Sequence, residues 1–362
     1  MPKQFLHFIM VSIFFSGSVL SDDKLPKADH LPSPPTAQHK VLISEGISLD
    51  NAGQYDDAIS RYKRVLEQSP DVVEAIYELG YSYFHKRDYE SALLFAHSGA
   101  RYKSELLPHI YVLLGNTLDE LGKRDEAIGI YKAAIKQSPK MALLHFNLGL
   151  ALMRSGKLSE AKEAMQQSLH LAPNHASSHY VLATLYYQLG YRVPAILALS
   201  RFLSIEPESQ RTNEAIPILD RLIAGGVTKG KDPNKINITL NLTPDSKKDE
   251  GDFDAVETAM SMSVAAGQIE DEKKKSSQFK LLASTYAVMG EVMSRTKTKG
   301  FAAKYYAPFY AEMDKRQFTE AFVNQALQRA KLDGSAEWKN ENGTKFQEFQ
   351  TWLSGYQWPN SK

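Results

Sequence analysis

A chain of 362 residues with a hydrophobic share of 43% is long enough for two or three packed domains, which excludes wholesale disorder. Its formal charge of +1, with 43 basic and 42 acidic side chains interspersed, offers no electrostatic footprint for nucleic acid or an anionic membrane surface. The lack of any cysteine excludes disulfides, thiolate metal centres, iron–sulfur clusters and thiol catalysis.

Residues 1–21 read as an export signal, with a basic Lys3, an apolar run over 5–15, and small Ser16, Gly17, Ser18 and Ser21 before Asp22. A spanning helix needs about 20 apolar residues, more than this run supplies. The chain is therefore expected outside the cytoplasm, periplasmic or secreted, with no integral membrane span after signal cleavage. Residues 22–38 carry Pro26, Pro32, Pro34 and Pro35 among polar groups, a composition that extends rather than packs, and read as a linker.

From residue 39 a fixed period takes over. Gly46, Gly80, Gly115 and Gly149 are 34, 35 and 34 residues apart, and Ala58, Ala92, Ala127 and Ala161 each follow twelve residues later. A fifth copy carries Ala183 and Ala195, and Pro70, Ser104, Pro139, Pro173 and Pro207 close the copies. Such self-similarity means one supersecondary unit repeated and stacked on its neighbours. Two antiparallel helices per unit explain the residue types. A small residue on each helix lets the backbones cross closely, and proline ends the second helix because its predecessor is pushed out of the α region. Leu79, Leu114, Leu148 and Leu182 precede the small site. Tyr62, Tyr131, Met165 and Leu199 lie one turn past the alanine, and Gly53, Gly122, Gly156 and Gly190 mark the turns.

Over residues 39–209 this pattern resembles the tetratricopeptide repeat family. The resemblance implies an all-α fold, a right-handed superhelix of five helix-turn-helix repeats: 39–72, 73–107, 108–141, 142–175 and 176–209. Departures are local. Glu45 stands where other copies have leucine, and the second copy has Ser104 for proline, Gly99 mid-helix and an extra residue before Pro108. A looser joint, bend or boundary is expected over 99–108.

Residues 214–224 place Ile216, Leu219, Leu222 and Ile223 on one face before Gly225 and Gly226, and read as the capping helix within a connecting region, 210–250. The run 225–232 is one residue short of a phosphate-binding loop. Asp232 replaces the hydroxyl residue, and the run follows a helix rather than a strand, so no phosphate site is expected. Residues 235–243 alternate strictly, with Ile236, Ile238, Leu240 and Leu242 on one side. That short strand must pair with an unrecognised one, lie in a groove of its own chain, or add to a partner's sheet.

Residues 251–362 read as a separate helical domain. Phe279, Leu282, Tyr286, Met289 and Met293 form one apolar stripe. The last sixty residues hold Phe301, Tyr305, Tyr306, Phe309, Tyr310, Phe318, Phe322, Trp338, Phe346, Phe349, Trp352, Tyr356 and Trp358. At about 1.5–3 kcal/mol per buried large side chain, these rings are expected to form its core. The alternative is a cell-envelope carbohydrate-binding protein with the rings on the surface.

No enzyme and no cofactor are expected. All ten histidines lie at or before His179, and Asp252, Asp254 and Glu257 fall at a helix start, where acids offset the macrodipole. His175 and His179 are spaced for zinc on a helix, but no acidic third ligand stands beside them; His145 and His179 hold equivalent inward places in successive repeats.

The resemblance implies that the first helix of each repeat lines the inner surface. Those helices offer Tyr77, Tyr81, Phe84 and His85 in the second copy, Asn116, Asp119 and Glu120 in the third, Phe146, Leu150, Met153 and Arg154 in the fourth, and Tyr180, Thr184 and Tyr187 in the fifth. The places at which some relatives grip a C-terminal carboxylate hold Ile43, Ile47, Glu78, His109 and Leu113, so that clamp is absent. The expected function is an exported scaffold or adaptor that binds an extended or helical segment of another protein in an aromatic groove, unless the groove holds the chain's own linker or strand.

Overall fold

The computed structural model describes residues 25–230, 235–240, 245–274, 277–295 and 299–359. The expected export signal lies outside the described residues. The chain divides into two compact units, Met1–Gln137 and Ser138–Lys362.

The first unit consists of three helix pairs: α1 (Ala37–Asn51) with α2 (Tyr55–Gln68), α3 (Val73–His85) with α4 (Tyr89–Gly99), and α5 (Leu107–Glu120) with α6 (Arg124–Gln137). The second opens with two more, α7 (Ala142–Arg154) with α8 (Leu158–Leu171) and α9 (Ala176–Leu189) with α10 (Arg192–Ile205). These are the five expected repeats. Gly53, Gly122, Gly156 and Gly190 turn the chain at positive φ, and Arg87 (φ 64°) does so in the second repeat. The residues before three of the closing prolines, Ser69, Ala172 and Glu206, leave the helical region as the proline ring demands.

Three of the periodic glycines, Gly46, Gly115 and Gly149, are small because a ring or thioether fills the gap opposite. A Cβ on Gly46 or Gly115 would lie 2.5 Å from Tyr62 or Tyr131, and one on Gly149 would lie 2.6 Å from the Met165 methyl. Gly115→Ala sets a helix-propensity gain of about 1 kcal/mol against overpacking of about 1–3 kcal/mol. Tyr131 is fully buried and its hydroxyl is tied to Asn116 at 2.5 Å, so the ring cannot swing away. Net destabilisation is the expected outcome, read as a lower urea midpoint; a raised midpoint would show that the crossing is looser than described.

The stretch 25–36 is ordered, and it lies along the inter-repeat loops rather than on the inner helices. His30 and Tyr102 form a parallel bridge, Ser33 N donates to Asp71 O at 3.0 Å, and Lys103 N donates to His30 O at 2.9 Å. The irregular segment after Gly99 is thus the linker's dock. The boundary between compact units falls at 137/138 instead.

In the second unit α11 (Thr212–Ala224) follows the repeats and leads into a ribbon of β1 (Val227–Lys229) and β2 (Ile236–Ile238). They pair antiparallel with Val227 opposite Ile238, so the expected single strand has a partner in its own chain. After a 3-10 turn at Asp245–Glu250 come α12 (Asp254–Lys274), α13 (Gln278–Arg295), α14 (Phe301–Tyr305), α15 (Ala307–Lys315), α16 (Thr319–Ala326), α17 (Ser335–Glu341) and α18 (Gly343–Gly355). The α13 stripe Phe279, Leu282, Tyr286, Met289 and Met293 is buried throughout.

These helices share a core with the last two repeats instead of forming a separate domain. Every residue of α10 from Val193 to Ser204 is buried. Tyr310 Oη donates to Leu197 O at 2.7 Å, Tyr305 Oη to Leu169 O at 3.2 Å, and Gln325 Nε2 to Ser204 O at 2.9 Å. The acidic turn is stitched in the same way. Glu250 is buried against Lys162 Nζ, Gln166 Nε2 and Tyr186 Oη, and Asp249 meets Lys162 and Tyr191.

Candidate functional site

In the first unit the expected residues of α3 form a ladder of rings. Tyr77 and Tyr81 lie 6.1 Å apart, and Tyr81 meets His85 edge-on at 4.3 Å. Tyr55 and His109, which belong to neighbouring repeats, extend the ladder at 5.9 Å from His85 and 6.5 Å from Tyr77. Phe84 turns toward His85 and Tyr89. Tyr81 is 39% exposed.

The polar residues expected beside them are engaged inside the unit. Asn116 Oδ1 accepts the Tyr131 hydroxyl, and buried Asp119 pairs with Arg124 Nε at 2.8 Å. Asp50 accepts the Tyr62 hydroxyl at 2.9 Å and the Ser82 hydroxyl at 2.8 Å. Glu78, one residue from Tyr77, has no hydrogen-bond donor or cation on its carboxylate among the described residues. Burial, reinforced by repulsion from Asp50 and Glu74, pushes its carboxyl up to about 7.

In the second unit Phe146 stands edge-on to His175 at 4.8 Å, Leu150 and Met153 are half-buried, and Arg154 is exposed with a contact inside the chain. Thr184 Oγ1 donates to Tyr180 O within its own helix. Tyr180 packs on Phe202 at 4.9 Å with the Arg211 guanidinium 5.8 Å from its ring. Tyr187 is 50% exposed and borders a cleft of about 160 Å³ that Tyr180, Ala183, Leu199, Ile218, Arg221 and Leu222 also line. The α11 contribution, Ile218 and Arg221, was missed in the sequence because the period stops at 209; Tyr55 was missed because it opens a second helix rather than a first.

The histidines and acids singled out in the second unit are engaged by partners within the chain. His179 is fully buried; its Nε2 donates to Pro173 O at 2.9 Å, so its Nδ1 accepts the Tyr306 hydroxyl at 2.8 Å. Burial, with Arg201 adding repulsion, pushes its imidazole down to about 3. His145 Nε2 repeats the contact with Pro139 O. Lys248 pairs with Asp252 and Asp254, and Glu257 is buried against Arg192, which caps α11 through Leu222 O and Ile223 O. Among the described residues no group of three His, Asp or Glu could hold a metal ion, and no helix is long and apolar enough to cross a membrane.

The C-terminal rings are a core. Tyr305, Tyr306, Phe309, Tyr310 and Phe322 are fully buried, while Phe301, Trp338, Trp352 and Tyr356 are half-buried. Among the described aromatic hydrophobics only Tyr81 and Tyr187 stand exposed.

A family model described as tetratricopeptide repeat matches residues 43–97, 112–176 and 147–191. The chain is similar to Protein O-mannosyl-transferase TMTC3 of Mus musculus, 26% identical over 164 residues, 41% of this chain and 18% of the relative. It is similar also to TPR repeat-containing thioredoxin TTL4 of Arabidopsis thaliana, 36% over 76 residues (21% and 11%), and to Tetratricopeptide repeat protein 13 of Homo sapiens, 32% over 130 residues (35% and 15%). It spans less than a fifth of the length of these relatives. Among solved structures it is similar to TTC0263, a thermophilic TPR protein of Thermus thermophilus, with TM-score 0.44, 21% identity, and 51% of this chain and 98% of that chain covered. YrrB, described as a TPR protein with an unusual peptide-binding site, gives TM-score 0.38, 22% identity, and 49% and 90% coverage.

Proposed function

We propose that this chain, whose repeats match the tetratricopeptide repeat model over residues 43–97 and 112–191, is a non-enzymatic adaptor holding another protein on the inner helices of those repeats, as such repeats serve as protein-interaction scaffolds. The observation that carries this reading is the exposure of Tyr81 and Tyr187. The chain buries or half-buries its other described aromatic hydrophobics, including the crowded C-terminal set, yet leaves these two on first helices of repeats. Rigid tyrosines at the centre of an interface are typically worth about 2 kcal/mol or more each. The adaptor acts outside the cytoplasm; the basic and apolar character of residues 1–21 supports this, and a mature N-terminus near Asp22 in purified protein would test it. The glycan-binding alternative is less well supported, since the described C-terminal rings are buried or half-buried and none stands exposed.

The experiment compares affinity capture by wild type with a Tyr81→Ala, Tyr187→Ala double variant. Tyr81 and Tyr187 are 39% and 50% exposed, so each truncation should cost no more than about 1 kcal/mol and leave the double variant folded. Partners held by wild type should fall by tenfold or more; an equal catch by the folded variant would remove these faces from the function.

A further inference from the structure

We propose that the α3 face of the first unit receives a positively charged, extended segment of the partner, one arginine or lysine lying across Tyr77 and Tyr81 with its cation on Glu78. This rests on the adaptor reading and specifies the partner's chemistry at one face.

Three observations converge on a cation. The rings of the ladder present faces that attract a cation through their quadrupole, and Tyr81 is exposed to receive one. Glu78 is half-buried beside them without donor or counter-ion among the described residues. A desolvated carboxylate in that state gains more from an incoming guanidinium than a solvated one does, because water has already been removed from it. The neighbouring charges have the same sign. Glu74 lies on the same helix, and Asp50, which accepts the Tyr62 and Ser82 hydroxyls, stands close enough with it to repel charge on Glu78. The nearby cation Lys86 is committed to Asp56. His109 stands against Tyr77 and His85 against Tyr81, as rings of the ladder rather than as partners of the carboxylate.

An acidic or purely apolar segment fits worse. The first adds a like charge, and the second would bury Glu78 with no partner at all. The exposed tyrosine of the second unit makes the contrast, since its cleft is bordered by Arg221 rather than by carboxylates.

The test selects a displayed library of random peptides at pH 8, where Glu78 is ionised, on the full chain as wild type, Glu78→Gln and Tyr81→Ala. The glutamine variant removes charge at nearly constant shape and breaks no contact, so at pH 8, where the buried carboxylate is ionised at a cost to folding, its thermal midpoint should equal or exceed that of wild type. The wild-type pool should be about tenfold richer in arginine and lysine at one position than the Glu78→Gln pool. Pools of equal charge would overturn the proposal. If such uncharged binders are nevertheless lost on Tyr81→Ala, the adaptor reading stands while the cation site does not; if wild type selects no binder, both fall.

Discussion

Glu250→Ala should destabilise the second unit by about 3–5 kcal/mol, because it breaks a buried ion pair and leaves several buried donors unpaired. The Glu250 carboxylate is 3% exposed and takes Lys162 Nζ at 2.7 Å, Gln166 Nε2 at 2.8 Å, Tyr186 Oη at 2.7 Å and Ala302 N at 3.2 Å. Removing it leaves the Lys162 ammonium with Asp249 alone, on the solvent side. Asp249→Ala supplies the comparison: that carboxylate is half exposed, and surface pairs are worth about 0–1 kcal/mol. A difference of about 2 kcal/mol or more between the two variants in urea unfolding is the expected result. Equal effects would mean that Glu250 is solvated and the turn is a surface feature.

The pH dependence should carry the same signature. Burial acts to raise the Asp249 carboxyl, but Lys162 and Tyr191 outweigh it and hold it below its ordinary value. Its contribution is therefore present above the ordinary carboxylate range and is lost as pH falls through the lower, folded value. Burial acts to lower Lys162, and the two carboxylates outweigh it, so the ammonium is held above its ordinary value and its contribution is lost only in strong alkali. Acid, rather than mild base, should loosen this staple.

Trp358→Ala should cost about 3–5 kcal/mol although the residue lies almost at the chain end. Its ring stacks on Tyr305 and Phe309 at 5.0 Å each, meets Tyr356 at 5.0 Å, and lies over His179 at 6.2 Å. The Arg201 guanidinium stands 4.9 Å from it, buried with no carboxylate partner among the described residues, and its burial pushes that group down to about 10. Loss of the ring takes the cation–π face from Arg201 together with the apolar contacts. His170 Nδ1 lies 3.2 Å from Pro359 O, so the tail is fixed on both sides of the tryptophan. A near-neutral Trp358→Ala variant would contradict the shared core between the C-terminal helices and the last two repeats.

The parts legible in the sequence were those written as a period. Gly46, Gly115 and Gly149 named the crossings, and Tyr62, Tyr131 and Met165 named the groups that fill them, because both sit at fixed offsets. Turn glycines, closing prolines and the α13 stripe are local in the same sense. Contacts without a period were invisible. Gln166 and Glu250 are 84 residues apart, and nothing in either neighbourhood marks the other. The same holds for His30 with Tyr102, and for the aromatic helices that bury α10 and so join the repeats rather than standing apart. Of the candidate site, Tyr77, Tyr81, Tyr180 and Tyr187 followed from helix spacing. Asn116 and Asp119 looked available only because their partners Tyr131 and Arg124 belong to the following helix, α6.

The central claim, that the inner helices hold a partner protein, is tested most directly by placing a photo-crosslinking amino acid at Tyr81 or Tyr187 in the full chain, with the same probe at exposed Met262 on α12 as reference. The account predicts one discrete crosslinked protein product from Tyr81, Tyr187 or both, and none from Met262. A product formed from Met262 alone would contradict it.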